Sequence, residues 1–206
     1  PPTAGLSPEP LTRPAGQPDG TLEAYDIWLR TQLLIMRFTP ENWNEAAQML
    51  ARAIEKAPTF SPLYSGLVQM NNTFHIAHPG VFRARHKEER TLALAQQAVR
   101  LDPRDSRAEL SLGWALAMNK RYAQAETHME IACALNPYDA WTLIAAGMFH
   151  AFIGKRERAQ DLSNKAMELT LSPNLALWTY LATTRYLCGD DEGLLDASAH
   201  AHPLAP

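Results

Sequence analysis

The sequence predicts an all-α protein built as a solenoid of antiparallel helix pairs. From Thr21 onward, apolar residues recur at steps of three and four residues, and no strand-like alternation appears. This periodicity places apolar side chains on one face of a helix. A spaced set of small residues and prolines also repeats along the chain, which indicates that the helices come in equivalent pairs.

Residues 1–20 differ from the rest, because they hold six of the fifteen prolines and three glycines. Such a stretch cannot form a helical hydrogen-bond ladder and buries little surface. We interpret 1–20 as a proline-rich linker and 21–206 as the helical-repeat domain. Three features favour a segment of a longer polypeptide: the linker, a first residue other than methionine, and the abrupt C-terminal end.

The elements follow from the apolar periodicity and from prolines, which suit a first helical turn and cannot continue a helix. Thr39-Pro40, Ser61-Pro62 and Ser172-Pro173 mark such restarts. The predicted helices are 22–38, 41–56, 61–77, 86–101, 105–119, 122–135, 139–153, 155–170, 175–188 and a short one from about 191.

The repeated motif is an alanine, a second alanine seven residues later, and a proline five residues after that. It is complete as Ala46, Ala53, Pro58 and as Ala125, Ala132, Pro137; it is approximate as Thr91, Ala98, Pro103 and as Ala159, Ala166, Pro173. Small residues allow two helices to cross closely, and the proline begins the turn into the next pair. Gly113 and Gly147 each follow a motif proline by ten residues, and a glycine within a helix implies a close packing contact.

This pattern resembles the tetratricopeptide repeat (TPR), a helix-turn-helix unit of 34 residues. The match is strongest in the third unit, through Leu112-Gly113, Tyr122, Ala125, Ala132 and Pro137. In the first unit only the second helix matches. The resemblance implies a right-handed superhelical solenoid with units of about 22–58, 59–103, 104–137, 138–173 and a truncated fifth of 174–206. It also implies a protein-interaction scaffold rather than an enzyme.

A narrower resemblance begins with the octet from Glu23 to Arg30 and includes the blocks 53–58 and 98–103. Together these segments are similar to the repeat region of bacterial signalling proteins, in which a winged-helix DNA-binding domain or a nucleotide cyclase domain precedes the repeats. The resemblance implies a sensing or interaction module within a bacterial transcriptional regulator or cyclase.

Composition narrows the function classes further. The net charge of −3 gives no reason to expect nucleic acid binding, which needs a basic excess. No apolar run is long enough to span a membrane, and no signal-peptide pattern is present. Cys133 and Cys188 are too few and too far apart for a disulfide scaffold or a metal site, so we expect free core thiols and a cytoplasmic protein.

The second unit is longer than the others, since Pro58 and Pro103 lie 45 residues apart. Its surplus lies near 75–86, where Pro79-Gly80 predicts a lengthened turn between two helices. Arg83, Arg85 and Lys87 make this insertion basic, which suits either docking of an acidic partner or a solvated loop. His75, His78 and His86 match no ligand motif, so we predict no metal and no cofactor.

In TPR proteins the first helix of each unit lines the concave groove. Counting equivalent positions assigns nine candidate groove residues: Trp28, Gln69, Asn72, Arg107, Trp114, Met118, Trp141, Met148 and Phe152. The aromatic and methionine side chains would suit an amphipathic helix or an extended peptide. Two interpretations remain open, because a strongly curved solenoid would instead bury these aromatics against neighbouring units. The set lacks the basic and asparagine-rich clamp of chaperone-binding members.

No catalytic constellation appears: the sequence has no phosphate-binding loop, nucleophile elbow or zinc-hydrolase signature. We therefore nominate no catalytic residue. The predicted partner is a protein or peptide. The alternatives are a homo-oligomerisation element, formed through the groove or the C-terminal unit, and, with less support, an RNA-binding helical repeat.

Overall fold

The computed structural model describes residues 19–37, 39–77 and 85–204, with side chains for 21–37, 39–74 and 87–204. These residues form ten α-helices and a final turn of 3-10 helix: α1 Asp19–Ile35, α2 Pro40–Lys56, α3 Ser61–Ala77, α4 Arg85–Leu101, α5 Ser106–Met118, α6 Tyr122–Leu135, α7 Ala140–Phe152, α8 Arg156–Glu168, α9 Leu175–Cys188, α10 Asp191–Ala201 and the 3-10 turn His202–Leu204. None of these helices is both long and apolar enough to cross a membrane.

The helices stack as five consecutive pairs, and the predicted all-α helical-repeat architecture is confirmed. We call α1, α3, α5, α7 and α9 the first helices and their partners the second helices. Each first helix after α1 contacts both helices of the preceding pair, as α5 does with α3 and α4. Every pair after the first therefore packs on the preceding pair, as in other solenoids.

The helix starts follow the sequence signals. The Thr39 side chain accepts a hydrogen bond from the backbone N–H of Asn42 ahead of α2. Asp105 and Asn174 cap α5 and α9 in the same way. Asp190 caps α10 by accepting from the Gly193 N–H at 2.9 Å. Such caps satisfy backbone donors that have no partner within the helix.

The two repeat glycines lie where the helices of one pair cross closely. A Cβ on Gly113 would lie 2.9 Å from Met129 Cε and 3.2 Å from the Ala125 carbonyl oxygen. A Cβ on Gly147 would lie 3.0 Å from the Ala159 carbonyl oxygen. The predicted close packing contact is present at both glycines.

The turn between first and second helix is also repeated. Gly154 and Gly189 end α7 and α9 with φ values of 78° and 72°, and Lys120 adopts φ 60° after α5. These positions lie 34 and 35 residues apart, so the left-handed turn recurs in three consecutive units. It fixes the register by which positions in these units are compared below.

The lengthened second unit accommodates its surplus mostly in its helices. α3 and α4 each have 17 residues, against 13 and 14 for α5 and α6. The rest of the surplus falls within 78–84, outside the described residues, and so does the predicted turn at Pro79-Gly80. Cys133 and Cys188 are free and buried, as expected, and burial raises the pKa of Cys133 to about 11.

Both chain ends differ from expectation. α1 begins at Asp19, so the last two residues of the predicted linker are helical, and 1–18 lie outside the described residues. The sequence predicts a fifth unit truncated after Leu195, but α10 continues to Ala201. Asp190 caps α10 and Ala197 is buried in the core, so this unit contains both helices.

Candidate functional site

We call the concave surface lined by the first helices the inner face of the solenoid. It curves tightly enough for side chains of distant units to touch. Arg107 of α5 donates a hydrogen bond from Nη1 to Gln32 Oε1 of α1 at 3.2 Å. The same guanidinium lies 5.9 Å from the centre of the Trp28 ring. Arg107 thus connects the first and third units across the inner face.

Arg107 is also paired within its neighbourhood. Its Nε and Nη2 atoms donate to the two carboxylate oxygens of Asp139 at 3.1 and 3.2 Å. Burial by itself would raise the pKa of Asp139, but the Arg107 charge and hydrogen bonds lower the pKa overall. Since Asp139 already neutralises this guanidinium, the inner face presents little free positive charge here.

The C-terminal part of the inner face is closed by aromatic residues. Trp141 of α7 packs on Tyr180 of α9, with ring centres 4.9 Å apart. Burial raises the pKa of the Tyr180 hydroxyl to about 12, and a hydrogen bond with Thr73 of α3 opposes that rise. The second and fifth units therefore meet at this point. A residual cavity of about 20 Å³ remains between α3, α5, α7 and α9, enough for little more than a water molecule.

The structure places the nine predicted groove residues at three levels of burial. Gln69, Asn72, Trp114, Trp141 and Met148 are buried. Trp28, Arg107 and Met118 are half-buried, and Phe152 is exposed. Tight winding explains this result, since the inner side chains of one unit pack against those of the others. The binding role of all nine stays a prediction, and for the five buried residues it requires the solenoid to open.

The buried polar residues of the inner face join first helices to each other. Asn72 Nδ2 donates to the Ser111 carbonyl oxygen at 3.3 Å, and Ser111 Oγ donates to the Ser65 carbonyl oxygen at 3.2 Å. The Gln69 amide nitrogen is buried with no hydrogen-bond partner among the described residues. These contacts hold α3 against α5.

Tyr180 escapes detection when positions are counted from prolines, because Pro173 stands two residues out of register. Counting from the helix caps recovers it. Asp139 and Asn174 precede α7 and α9 as N-cap residues. This register aligns Tyr180 with the inner-face residue Ala145.

A second concave region, which we call the lateral cleft, lies between α2 and α4 above α3 and α5. Its volume is about 330 Å³. It is lined by Ala47, Ala51, Leu67, Met70, Asn71, Asn72, Lys87, Glu88, Arg90, Thr91, Leu94, Ala115 and Met118. Three of the predicted site residues, Asn72, Met118 and Lys87, therefore contribute to one cavity. Its walls are mainly apolar, and its charged residues come from the first turns of α4.

The predicted basic insertion is described only in part. Lys87 is exposed in the first turn of α4. The Arg85 backbone begins that helix, whereas Arg83 and His78 lie outside the described residues and the side chains of His75 and His86 are not described. In the described part of the chain no group of three potential metal ligands comes together. Docking of an acidic partner at Arg83, Arg85 and Lys87 stays a prediction.

Solved structures share this architecture at low sequence identity. A thermophilic TPR protein from Thermus thermophilus is 18% identical, with 89% of this chain and 92% of that chain covered and a TM-score of 0.63. This chain has a TPR-like fold. A chain of the APC/C hetero-tetramer Cut9-Hcn1 is 19% identical over 90% of this chain and 37% of that one, with a TM-score of 0.57.

MamA from Desulfovibrio magneticus RS-1, from residue 41 to its end, is 16% identical over 92% of this chain and 97% of that one, with a TM-score of 0.50. No protein-family model and no curated protein matches the sequence. At such identities the likeness concerns the fold alone. The helix packing and the repeat register described above agree with this TPR-like architecture.

Proposed function

We propose that this TPR-like domain is a protein-interaction scaffold that holds an amphipathic segment of a partner protein in the lateral cleft. The observation that carries the proposal is the cleft itself, an apolar cavity of about 330 Å³ with charged residues at one edge. Binding cavities commonly have about this volume and combine apolar walls with a few polar groups.

The cleft residues indicate the chemistry of the partner. Leu67, Met70, Leu94 and Met118 supply the apolar surface, and methionine adapts to side chains of different shape. Arg90 supplies a positive charge at the edge, next to Lys87 and Glu88. A segment that inserts a large apolar side chain and carries carboxylates beside it would match both features.

The inner face is the alternative binding site. Its buried aromatics would have to separate before a peptide could contact them, and the unpaired Gln69 amide favours an occasional opening of this kind. The two sites make different demands, because the lateral cleft needs no rearrangement of α5, α7 or α9.

The wider context proposed for the domain is a bacterial regulatory protein. This proposal rests on the similarity of residues 23–30, 53–58 and 98–103 to the repeat regions of transcriptional regulators and cyclases. The full-length parent sequence tests it: an upstream winged-helix or cyclase domain would support the proposal, and an upstream membrane anchor would contradict it.

Peptide selection tests the binding site even when the partner is unidentified. A displayed library of random peptides would be selected on the purified chain, and the enriched peptides would be measured against variants by calorimetry. Ala51→Trp places an indole over the cleft and should weaken binding about tenfold or more. Ala134→Trp, at an exposed position of α6 outside the cleft, serves as the matched control and should bind as the wild type does.

The charge component has its own control on the same helix. Arg90→Glu should weaken binding and reduce its salt dependence, whereas Arg100→Glu, at the other end of α4, should not. Hydrogen exchange should show protection in α2 and α4. Protection confined to α5, α7 and α9, or binding unaffected by Ala51→Trp, would contradict the lateral-cleft site and favour the inner face.

A further inference from the structure

The joint between consecutive units occurs four times among the described helices, and it defines which face of a first helix packs on the preceding pair. Leu63 of α3 packs with Ala24, Leu50 and Ala53 of the first pair. Its equivalent in α5, Ala108, packs with residues of α3 and α4. Thr142 and Leu177 hold the same position in α7 and α9 and are also buried.

In α1 this face has no pair beneath it among the described residues. Aligning Ala46 with Ala125 makes Leu29 the equivalent of Ala108 and Leu33 the equivalent of Leu112. Leu29 and Leu33 are 43% and 71% exposed. All equivalents of Leu29 in the later units are buried, and those of Leu33 are buried except Leu67, which is half-buried. Leu22 and Tyr25 are also exposed. Steps of three and four residues align these four side chains, so we call them the α1 stripe.

The opposite end of the array carries the complementary surface, a groove between α9 and α10 with a volume of about 420 Å³. It is lined by Leu175, Thr179, Ala182, Thr183, Tyr186, Leu194, Ser198, Ala201 and His202. We call it the C-terminal groove. It lacks aspartate, glutamate, lysine and arginine among these lining residues, so an apolar helix could enter it without burying an unpaired charge.

The preceding unit shows what such a groove receives. Tyr186 and Leu194 are the equivalents of Ala151 and Ala159 in α7 and α8. Those two alanines are buried against Cys188 of α9. The corresponding groove of the fourth unit is thus filled by the first helix of the fifth unit. The C-terminal groove is the equivalent surface of the fifth unit, with Tyr186 and Leu194 in place of the two alanines.

We propose that α1 of a second copy of this chain occupies the C-terminal groove, so that the domain self-associates head to tail. The α1 stripe is the face by which a first helix enters such a groove, and the described residues provide one stripe and one groove. The joint would extend the packing already present between units. Because the two surfaces differ, the contact is heterologous and produces open chains of copies unless the rotation closes a ring.

Sedimentation of the full chain over a range of concentrations tests the proposal. The average mass of the wild type should rise with concentration beyond that of a dimer. The double variant Leu29→Glu/Leu33→Glu damages the stripe, and Tyr186→Glu damages the groove. Each should weaken association roughly 100-fold or more, since it places an unpaired carboxylate in the joint. Tyr138→Glu, which alters an exposed tyrosine outside both surfaces, should associate as the wild type does.

Mixing the variants identifies the geometry. The stripe variant keeps its groove and the groove variant keeps its stripe, so an equimolar mixture should form a one-to-one dimer and nothing larger. All substituted positions are exposed, and far-ultraviolet circular dichroism would verify that each variant is folded. A wild type that remains monomeric would overturn the proposal, as would one that stops at a dimer or a mixture that stays monomeric. These outcomes leave the lateral cleft unaffected.

Discussion

The inner face and the two end faces of the solenoid are both rich in large apolar side chains, yet the described residues cover only the inner face. Trp114 and Trp141 are buried there, with 6% and 7% of their surface exposed. At the ends, Leu33 and Tyr186 remain 71% and 65% exposed. Apolar composition by itself therefore does not distinguish a binding surface from a core.

What separates the two regions is whether a first helix has neighbours. The inner face closes because winding brings the first unit to the third, through Arg107 and Gln32, and the second unit to the fifth, through Thr73 and Tyr180. α1 and α9 each lack a further unit on one side among the described residues. Among the described residues, part of the exposed apolar surface of the array therefore lies at its two ends.

The largest expected effect comes from a substitution in the inner face. Trp141→Ala should lower the free energy of unfolding by about 3–5 kcal/mol, because it removes a buried indole and leaves a cavity against Tyr180. Leu33→Ala on the α1 stripe should change it by less than about 0.5 kcal/mol. Urea unfolding monitored by circular dichroism, at protein concentrations low enough to keep the chain monomeric, compares the two.

A loss below about 1 kcal/mol for Trp141→Ala would contradict the closed inner face. It would mean that the indole is exposed in solution and available to a partner, as the groove interpretation requires. The Leu33→Ala variant verifies that truncating any large apolar residue does not produce the same loss.

The second effect concerns the close helix crossing that shapes each pair. Gly147→Ala should destabilise the protein by about 1–2 kcal/mol, because the new methyl group meets the Ala159 carbonyl oxygen and overpacking exceeds the gain in helix propensity. Gly66→Ala is the matched control. Its Cβ would meet Trp28, Leu50 and Gln32 at ordinary distances of 3.5–3.6 Å, so this variant should gain about 0.5–1 kcal/mol.

Thermal and urea unfolding measure whether each of these two glycine substitutions raises or lowers the free energy of unfolding. Equal effects would contradict the assignment of Gly147, but not Gly66, to a close crossing.

Most of the fold was predictable because its signals are local. Pro40, Pro62 and the repeated Ala–Ala–Pro motif locate helix boundaries, and apolar periodicity identifies the helices. The same locality explains why the inner face was open to two interpretations. Residues 32 and 107 are far apart in sequence, and their contact depends on a small rotation accumulated over several units. The 34-residue spacing of the motif gives no information about the size of that rotation.

The third effect tests whether the left-handed turns after α5 and α7 are equivalent positions of the repeat. Gly154→Ala should destabilise the protein by about 1 kcal/mol through its positive φ, since a Cβ there would contact nothing within 4 Å. Lys120→Gly at the equivalent turn should stabilise it by about 0.5 kcal/mol, because relief of backbone strain slightly exceeds the added chain entropy of the unfolded state. Calorimetric melting of both variants measures these changes, and destabilisation by Lys120→Gly would contradict the repeated turn.

The smallest effect examines how well the middle of the array excludes water. His150 of α7 is buried, and burial lowers the pKa of its imidazole; Glu130 and Glu126 oppose that change, and Arg158 and Lys155 add to it. The unfolded chain should therefore bind a proton first as the pH falls below about 6.5. The free energy of unfolding should fall as the pH is lowered from that value.

His150→Leu should flatten this dependence, and it introduces the residue that Leu116 already provides at the equivalent position of α5. Melting temperatures measured between about pH 7.5 and 5.5 test the effect while remaining above the range in which carboxylates titrate. His202→Gln, which removes an exposed histidine after α10, is the control. If His150→Leu instead melted with the wild-type dependence, the imidazole of His150 would have the same pKa in the folded and unfolded states. This result would contradict the claim that the middle of the array excludes water at His150.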